Sequence, residues 1–374
     1  MRLLLLCGSA APGRDGVGDY SRRLGAALQA KGVEVRLLAT HDKQVPAILR
    51  EQQAEGAALV DTTRLPYATP ARRRSAAIGV LVKEFKPDWV SLQYVPYSFQ
   101  PKGLPLAFVS QLGSLLAGVR VHVMFHECWV GISRISPWRH RLTGLGQRFV
   151  ARRLVRGLRP RLISTSNELY RAVLATNGID ARLLPLFSNI EVARARVQGW
   201  RGEGAALLNE QAGTLATNYL VAGIFGTIYP QVDLGRELRR LRRRAEDGDR
   251  RLLVVTFGRA GAEGLRRLEN ELAALPDPPA LVKLGELPAA SVSAALQLLE
   301  VAISCTPRQH LGKSGVYAAM RRHGVEVIAT VDERVPEYEA LIEAAIARLG
   351  ERPADHWSAT WVADRLREQL TLAD

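Results

Sequence analysis

The feature that most constrains this chain is the alternation of short runs rich in Val, Leu and Ile with segments of helical periodicity. Such alternation is typical of α/β folds in which helices cover a parallel sheet. The runs predict strands at 2–6, 33–38, 89–92, 120–125, 162–165, 182–185, 219–225, 252–257, 281–284, 300–304 and 325–329. We therefore predict an α/β fold of two Rossmann-like parallel-sheet domains that face an interdomain cleft.

Length and one polar segment predict where the domains divide. A chain of 374 residues exceeds one ordinary core, and residues 188–217 are polar, rich in Gly and Ala and without strand character. We predict an N-terminal domain over 1–195, a linker over 196–217 and a C-terminal domain over 218–350. The tail, 351–374, is predicted as a helix that crosses back to the N-terminal domain.

The start of the chain has two interpretations, a secretory signal or a buried first strand. The apolar run from Leu3 to Cys7 is shorter than the roughly 7–15 residues of a signal segment, and no run approaches the roughly 20 residues that span a bilayer. Cys7, Cys128 and Cys305 form no CxxC pair, which argues against a disulfide framework or a zinc site. We therefore predict a buried strand and a cytoplasmic protein.

The chain is strongly basic, with a formal net charge of +14 and a pI of about 10.2. Nine arginines lie in residues 134–161, and no Asp or Glu occurs between Cys128 and Asn167. This segment has three interpretations: a membrane-surface patch, an acceptor site for a phosphorylated or lipid-linked substrate, or a solvated helix face. A second cluster at 236–244 is expected to be a solvated helix. No nucleic-acid partner is predicted, because no zinc, RNP-type or helix-turn-helix signature accompanies the charge.

A glycine-rich loop, "GSAAPGRDGVGDY", follows the first predicted strand. Gly16 and Gly18 stand where a helix is expected to begin, so backbone amides there can approach an anionic or electronegative ligand. The spacing departs from GxGxxG, which leaves a dinucleotide site unsupported. The residues alone leave open whether this is a ligand loop or an ordinary strand-to-helix connection.

Polar side chains also follow two other predicted strands. His126 and Glu127 come directly after 120–125, and Gln93 and Tyr97 come after 89–92. Open α/β sheets bind ligands at the carboxyl ends of their strands, imidazole acts as donor or base near neutral pH, and aromatic rings stack on sugars. We interpret the first pair as catalytic candidates and the second pair as acceptor candidates. A histidine held by the backbone and core packing of the aromatic side chains are the alternatives.

Seven blocks, in order along nearly the whole chain, resemble known proteins. They are "GVGDYSRRLGAALQAKGVEV", "SLQYVPYSFQPKGLP", "VMFHECWVG", "LLPLFSNI", "VAGIFGTIYP", "VKLGELPAASVSAALQLLEVAIS" and "GKSGVYAAMRRHGVEVIAT". Together they resemble two-domain glycosyltransferases of the GT-B fold, bacterial members among them, and most of all the large retaining family that carries a Glu-x7-Glu signature.

This resemblance implies a nucleoside diphosphate sugar as donor substrate in the cleft, with no cofactor and no metal. It also implies that His126 approaches the donor sugar from the N-terminal domain. The signature itself is not intact, because Leu311 and Ala319 stand where its glutamates are expected. Thr227, which we include in the donor site, stands where the family commonly has an arginine.

Two basic residues are the candidate replacements for neutralising a diphosphate. Arg259 and Lys313 both follow predicted strands, at the sheet edge where ligands bind. Ser314 and Gly315, beside Lys313, add a hydroxyl and a backbone donor. The segment "LGKS" lacks the spacing of a P-loop. The alternative for Lys313 is a solvated loop lysine.

These patterns predict transfer of a hexose or similar sugar to an acceptor hydroxyl or amine. If the reaction inverts configuration, Glu127 and Asp19 are the carboxylates placed for proton transfer, whereas a retaining enzyme has no obvious base. The sequence does not decide between the two. Two alternatives remain: a sugar-nucleotide hydrolase or epimerase, and a non-catalytic protein that binds anionic lipid or a partner through its arginine surface. The membrane interpretation implies a peripheral location at the inner membrane surface.

Overall fold

The computed structural model describes residues 1–193, 199–210, 218–230, 232–331 and 335–373. The chain divides into two compact units. Unit 1 comprises Met1–Pro185, Val335–Leu341 and Ala359–Asp374, and unit 2 comprises Leu186–Arg334 and Ile342–Ser358. Each unit is built on one sheet, so the predicted two-domain Rossmann-like α/β fold is confirmed.

The strands in chain order are β1 (Arg2–Cys7), β2 (Glu34–Asp42), β3 (Leu49–Glu55), β4 (Ala58–Pro66), β5 (Trp89–Tyr94), β6 (Arg120–Phe125), β7 (Leu162–Thr165), β8 (Arg182–Leu183), β9 (Tyr219–Phe225), β10 (Arg251–Phe257), β11 (Ala280–Gly285), β12 (Val301–Pro307) and β13 (Glu326–Val331). The helices are α1 (Gly16–Gln29), α2 (Ala71–Phe85), α3 (Pro96–Phe99), α4 (Leu106–Leu115), α5 (Trp138–Leu158), α6 (Glu168–Ala175), α7 (Ala206–Glu210), α8 (Leu234–Asp247), α9 (Ala262–Ala273), α10 (Ala289–Leu298), α11 (Gly315–Arg322), α12 (Glu339–Glu351) and α13 (Ala359–Leu372). All eleven predicted strands are present.

The sheet of unit 1 has the order β3-β4-β2-β1-β5-β6-β7-β8. Its central strand, β1, is buried from Leu3 to Cys7, which explains why that run is apolar without alternation. Leu5 pairs with Leu37 of β2 on one side and with Ser91 of β5 on the other, both in parallel register. The predicted buried strand at the start of the chain is therefore confirmed.

The β3–β4 hairpin is a part of unit 1 that the sequence pattern did not predict. β3 pairs antiparallel with β4, and Gly56, with φ +60°, occupies the turn between them. Most of β3 is polar and exposed, as expected of an edge strand. Because the prediction relied on apolar runs, it overlooked a strand whose side chains face solvent.

The sheet of unit 2 has the order β11-β10-β9-β12-β13, and all its neighbouring strands are parallel. Apolar residues of β9 alternate between two cores: Leu220, Ala222 and Ile224 pack on one face, and Tyr219 and Val221 pack on the other. Helices cover both faces of this sheet, the doubly covered arrangement that its continuous apolar strands predict.

Part of the predicted linker is packed into unit 2. Ala205 and Leu208 are buried in its core, and Glu203 bridges to Lys283 at the edge strand β11. Residues 196–198 and 211–217 of that prediction lie outside the described residues.

Two side chains of α13 contact other parts of unit 1: the Gln369 amide donates to the Leu183 carbonyl over 3.0 Å, and Lys31 pairs with Asp364 over 2.9 Å.

The three cysteines, Cys7, Cys128 and Cys305, are buried, and none of them forms a disulfide. Among the described helices, none combines the length and the apolar character needed to cross a membrane.

Candidate functional site

The first candidate region lies at the carboxyl edge of the unit 1 sheet, between β1 and β5. Strand order reverses there, and such switch points are where open α/β sheets bind ligands. The loop after β1 touches α3, which follows β5, because a Cβ on Gly8 would lie 2.5 Å from the Ser98 Cβ. Only glycine fits at that position without moving α3.

The predicted glycine pair begins α1, whose first residue is Gly16. Asp15 caps the helix by accepting a hydrogen bond from the Gly18 amide over 2.7 Å. A Cβ on Gly18 would lie 2.5 Å from the Ser9 carbonyl oxygen, whereas a Cβ on Gly16 would meet nothing within 4 Å. Gly18 therefore brings helix and loop together, and Gly16 leaves open space beside the helix start.

Asp19, a predicted catalytic carboxylate, has partners within the same loop and helix. Its Oδ1 accepts from the Gly13 amide over 3.0 Å and pairs with the Arg22 guanidinium over 2.8 Å. Arg22 in turn pairs with Glu55 at the end of β3 over 3.0 Å. These contacts fix the loop before α1, and the catalytic role of Asp19 stays a prediction.

Asp42, which the sequence analysis did not single out, holds the loop after β1. Its Oδ2 accepts from the Ala10 amide over 3.1 Å and pairs with Arg64 of β4 over 2.8 Å, and its Oδ1 accepts from the Gln44 amide over 2.8 Å. Burial opposes ionisation, but these hydrogen bonds hold the pKa of Asp42 below its ordinary value. A polar residue at the end of the apolar run "LLATHD" was the available signal.

A chain of buried hydrogen bonds joins two predicted site residues. His126 Nε2 lies 2.8 Å from Gln93 Oε1, the Gln93 amide donates to Ser91 Oγ over 2.7 Å, and Ser91 Oγ lies 2.8 Å from His122 Nδ1. Because an amide oxygen only accepts, His126 must carry a proton on Nε2. The Ser91 hydroxyl accepts from Gln93 and shares a second hydrogen bond with His122.

Burial and the neighbouring His126 lower the pKa of His122 to about 3, so this ring is neutral at physiological pH. It pairs with Ser91 in the register of β5 and β6. Gln93, Ser91 and His122 are therefore all neutral. Their hydrogen bonds keep a proton of His126 on Nε2, as the partner of one ring nitrogen commonly does for functional histidines. His122 anchors the inner end of this chain of hydrogen bonds.

His126 lies beside the start of α1. Its ring meets the Tyr20 ring edge-on at a centroid distance of 4.9 Å, and its amide donates to the Tyr94 carbonyl over 3.1 Å. The structure thus brings together His126, Gln93 and the helix that begins at Gly16. Tyr97 is exposed on α3, where its ring lies against Gly103.

Glu127 is half-buried directly after His126. Burial, with the nearby groups of Cys128 and Glu127, raises the pKa of Tyr170 well above its ordinary value. The catalytic role of Glu127 stays a prediction.

The second candidate region lies at the carboxyl edge of the unit 2 sheet, where strand order reverses between β9 and β12. Thr227 is exposed in the loop after β9, next to Gly226, which adopts φ +86°. A Cβ on Gly226 would lie 3.3 Å from Val316 in the first turn of α11. The loop that carries Thr227 and the start of α11 are therefore neighbours.

Three predicted donor residues form the start of α11. Ser314 caps the helix by accepting from the Tyr317 amide over 3.2 Å, and its hydroxyl bonds Thr306 at the end of β12 over 2.9 Å. Gly315 is the first helical residue, and Lys313 ends the preceding 3₁₀ turn. A helix start with an adjacent ammonium group is a favourable place for an anion.

Lys313 also acts on its neighbour His310. Burial, together with the Lys313 charge, lowers the pKa of His310 to about 4.

Arg259 lies at the end of β10, one strand away from β9, and is largely exposed. It pairs with Glu286 over 3.7 Å, a surface pair worth about 0–1 kcal/mol. Arg259 is therefore free to reorient toward a ligand at modest cost.

The two positions where the resembled signature has glutamates lie in the core of unit 2. Leu311 packs with Tyr317 and Trp357, and Ala319 packs in the cluster beneath β9 and β10. A carboxylate at either place would be buried among apolar side chains. Among the described residues, no His, Cys, Asp and Glu group with the geometry of a metal site is found.

Residues 15–189 match the family described as Glycosyl transferase 4-like domain. A comparison with curated proteins finds no significant match. Among solved structures, a glycosyltransferase from Rickettsia africae ESF-5 is similar with a TM-score of 0.55 at 9% identity, covering 100% of this chain and 97% of that chain. The catalytic domain of starch synthase IV from Arabidopsis thaliana, bound to ADP and acarbose, has a TM-score of 0.51 at 13% identity, with coverage of 100% and 99%. The UDP-GlcNAc 2-epimerase from Methanocaldococcus jannaschii has a TM-score of 0.50 at 10% identity, with 100% of both chains covered.

At such identities the solved structures show the fold alone, which is a GT-B glycosyltransferase-like fold. The family match of residues 15–189 supports a transferase.

Proposed function

We propose that the protein transfers a sugar from a nucleoside diphosphate sugar to an acceptor hydroxyl or amine. The observation that supports a donor site is the position of the start of α11, at the edge of the unit 2 sheet where strand order reverses. There, Ser314 is fixed by Thr306, Lys313 adds a positive charge, and the loop of Thr227 is a neighbour. This arrangement suits the diphosphate of a donor, because amides and cations converge where strand order reverses.

Departure of the diphosphate is the step that these groups would assist. As the bond between the anomeric carbon and the donor oxygen breaks, negative charge grows on the leaving diphosphate. Lys313, the first amides of α11 and a reoriented Arg259 would stabilise that charge without a metal ion, in the manner of preorganised electrostatic stabilisation. Neither a metal nor a cofactor is part of the proposal.

His126 is the residue we propose for the sugar side. Gln93 holds the Nε2 proton, so the ring is oriented before any ligand arrives. A fixed imidazole can hydrogen-bond a sugar hydroxyl or accept a proton. Glu127 and Asp19 remain the candidate bases for an inverting reaction, and Tyr97 remains an acceptor candidate.

An epimerase or hydrolase on the same fold is the second candidate. The similar fold of the UDP-GlcNAc 2-epimerase supports it. The apolar burial of Leu311 and Ala319, where the resembled transferases have glutamates, instead fits a non-catalytic protein that binds anionic lipid or a partner. The two activities differ in their need for an acceptor: an epimerase or hydrolase consumes the donor alone, whereas a transferase requires an acceptor for rapid turnover.

A cytoplasmic location with peripheral contact to an anionic membrane is also part of the proposal. The arginine-rich segment 134–161 supports it, because basic surfaces attract anionic lipid headgroups.

The testing experiment screens UDP-, GDP-, ADP- and dTDP-sugars by thermal shift and follows consumption of the stabilising donor by mass spectrometry. We expect one nucleotide class to raise the melting temperature, and the shift to shrink in Lys313→Ala and Arg259→Ala. Lys83→Ala, an exposed lysine on α2, is the matched control. No stabilising donor, or equal shifts in all variants, would overturn the donor site. Rapid consumption without an acceptor would favour the second candidate.

A further inference from the structure

The outward surface of α5 is apolar. Five large apolar side chains in and just before this helix each have between 54% and 69% of their surface exposed: Ile135, Trp138, Leu142, Leu145 and Phe149. We call these five residues the α5 stripe. Single exposed apolar residues are normal on protein surfaces, but a continuous group of this size marks an interaction site.

The spacing of the α5 stripe shows that it is one face of the helix. Trp138, Leu142, Leu145 and Phe149 follow one another at intervals of three or four residues, which is the helical repeat. The opposite face already supplies the core of unit 1 through Val150 and other buried residues. The helix is therefore apolar on two sides, and core packing accounts for only one of them.

Arginines border the α5 stripe. Exposed arginines lie on both sides of the α5 stripe along the helix: Arg139, Arg141, Arg152, Arg153 and Arg156. The Arg139 guanidinium lies 5.5 Å from the centre of the Trp138 ring, a cation–π distance. No Asp or Glu occurs between Cys128 and Asn167, although Glu337 pairs with Arg134 over 3.8 Å at the edge of the region.

The apolar surface continues from the stripe into a groove of about 570 Å³. Its wall includes Trp138, Leu142 and Leu145 of the stripe, together with Trp129, which lies two residues after Glu127. The groove belongs to unit 1 and extends the apolar surface toward the strand end that carries His126.

We infer that the α5 stripe is a docking face for the surface of an anionic lipid bilayer. Aromatic and aliphatic side chains flanked by arginines are the composition of helices that lie in the membrane interface, with apolar groups below the headgroups and guanidinium groups among the phosphates. Charge complementarity selects this occupant: an arginine border without acidic residues along the helix matches a sheet of phosphates. The inference deepens the peripheral membrane contact of the proposed function and rests on that part of it, whereas it is independent of the donor site.

The decisive experiment is co-sedimentation of the full chain with phosphatidylcholine vesicles, with and without phosphatidylglycerol as roughly a third of the lipid. We expect binding only to the anionic vesicles, weakened by salt. The double variants Leu142→Ser/Leu145→Ser and Arg139→Gln/Arg141→Gln should each lose about tenfold or more in affinity, since each removes part of the apolar or ionic contact. Matched controls are Leu59→Ser/Val80→Ser and Arg240→Gln/Arg243→Gln, whose residues are exposed elsewhere.

Trp138 provides a second readout that needs no disruptive change. Transfer of an exposed indole into the interface shifts its emission to the blue, so anionic vesicles should shift the wild-type spectrum more than that of Trp138→Phe. Three outcomes would overturn the inference: equal binding to neutral vesicles, unchanged binding of both α5 double variants, or a wild-type dimer that Leu142→Ser/Leu145→Ser converts to monomers. The donor thermal shift, measured on the same variants, separates failure of this inference from failure of the donor site.

Discussion

Gln93 and His126 are joined by a buried hydrogen bond of 2.8 Å between the Gln93 side-chain oxygen and Nε2 of the imidazole. The bond links the end of β5 to the residue that follows β6, and Ser91 and His122 continue it into the sheet. The bond gives His126 a fixed orientation, so Gln93 positions this histidine, and its role as an acceptor residue stays a prediction.

Replacing Gln93 by Leu should lower kcat by about tenfold to a hundredfold while the KM for the donor changes little, because the imidazole loses its fixed tautomer. Gln93→Glu should retain more activity, since a carboxylate still accepts from Nε2. The new carboxylate should also favour the charged imidazole and move the acidic limb of the pH–rate profile to higher pH. Steady-state kinetics against pH test both variants. Equal loss in Leu and Glu variants, with an unmoved acidic limb, would contradict a positioning role.

The two glycines at the start of α1 should differ in their tolerance of a side chain. Gly18→Ala places a methyl group 2.5 Å from the Ser9 carbonyl oxygen, and this overpacking should cost about 1–3 kcal/mol of stability. Gly16→Ala meets nothing within 4 Å and should change stability by less than about 0.5 kcal/mol. Denaturant unfolding of the pair measures the difference. Equal effects would show that the close approach of loop and helix is not maintained.

The Asp42–Arg64 pair should make unit 1 sensitive to acid. The pKa of Asp42 is below its ordinary value in the folded protein, so the ionised form contributes stability above the unfolded value of about 4. That contribution is lost as pH falls through the lower folded pKa. Asp42→Asn removes the charge and should destabilise the protein by about 3–5 kcal/mol at neutral pH, with a flatter decline below pH about 4. Free energies of unfolding against pH check this, and parallel curves would refute it.

Two buried histidines should stay neutral well below neutral pH. Burial, with the charge of Arg74, lowers the pKa of His41 to about 3, and burial with His126 does the same for His122. Unfolded histidine binds a proton near pH 6.5, so each ring reduces stability progressively as pH falls from that value toward its folded pKa. Imidazole NMR signals of these two residues should not titrate between pH about 8 and 4. Titration of either ring near pH 6.5 would show that it is not buried as described.

The sequence predicted those parts of the fold that rest on continuous apolar runs. β1 and β9 are central strands with apolar neighbours on both faces, so burial alone imposes their composition. The β3–β4 hairpin was missed because an edge strand exposes polar side chains. The pairing of β4 with β2 determines that Arg64 meets Asp42, so that ion pair was not predictable either.

For the candidate sites, residue types were predictable and their partners were not. His126 and Gln93 stand at strand ends, which the sequence indicates, but their hydrogen bond depends on β5 and β6 being neighbours. Ser314 was predicted as a neighbour of Lys313 after a strand, whereas its bond to Thr306 depends on where β12 ends. The segment of α5 was recognisable as an amphipathic helix, but periodicity alone could not tell which of its apolar residues face outward.

The central claim is that the start of α11 binds the diphosphate of a donor, and calorimetric titration tests it most directly. The nucleoside diphosphate identified by the thermal screen is titrated into wild type, Lys313→Ala and the control Lys83→Ala. A lost charge-assisted contact to phosphate is worth about 1.5–3 kcal/mol, so Lys313→Ala should bind about tenfold to a hundredfold more weakly. Lys83→Ala should match wild type. Equal affinity of all three proteins would contradict the account.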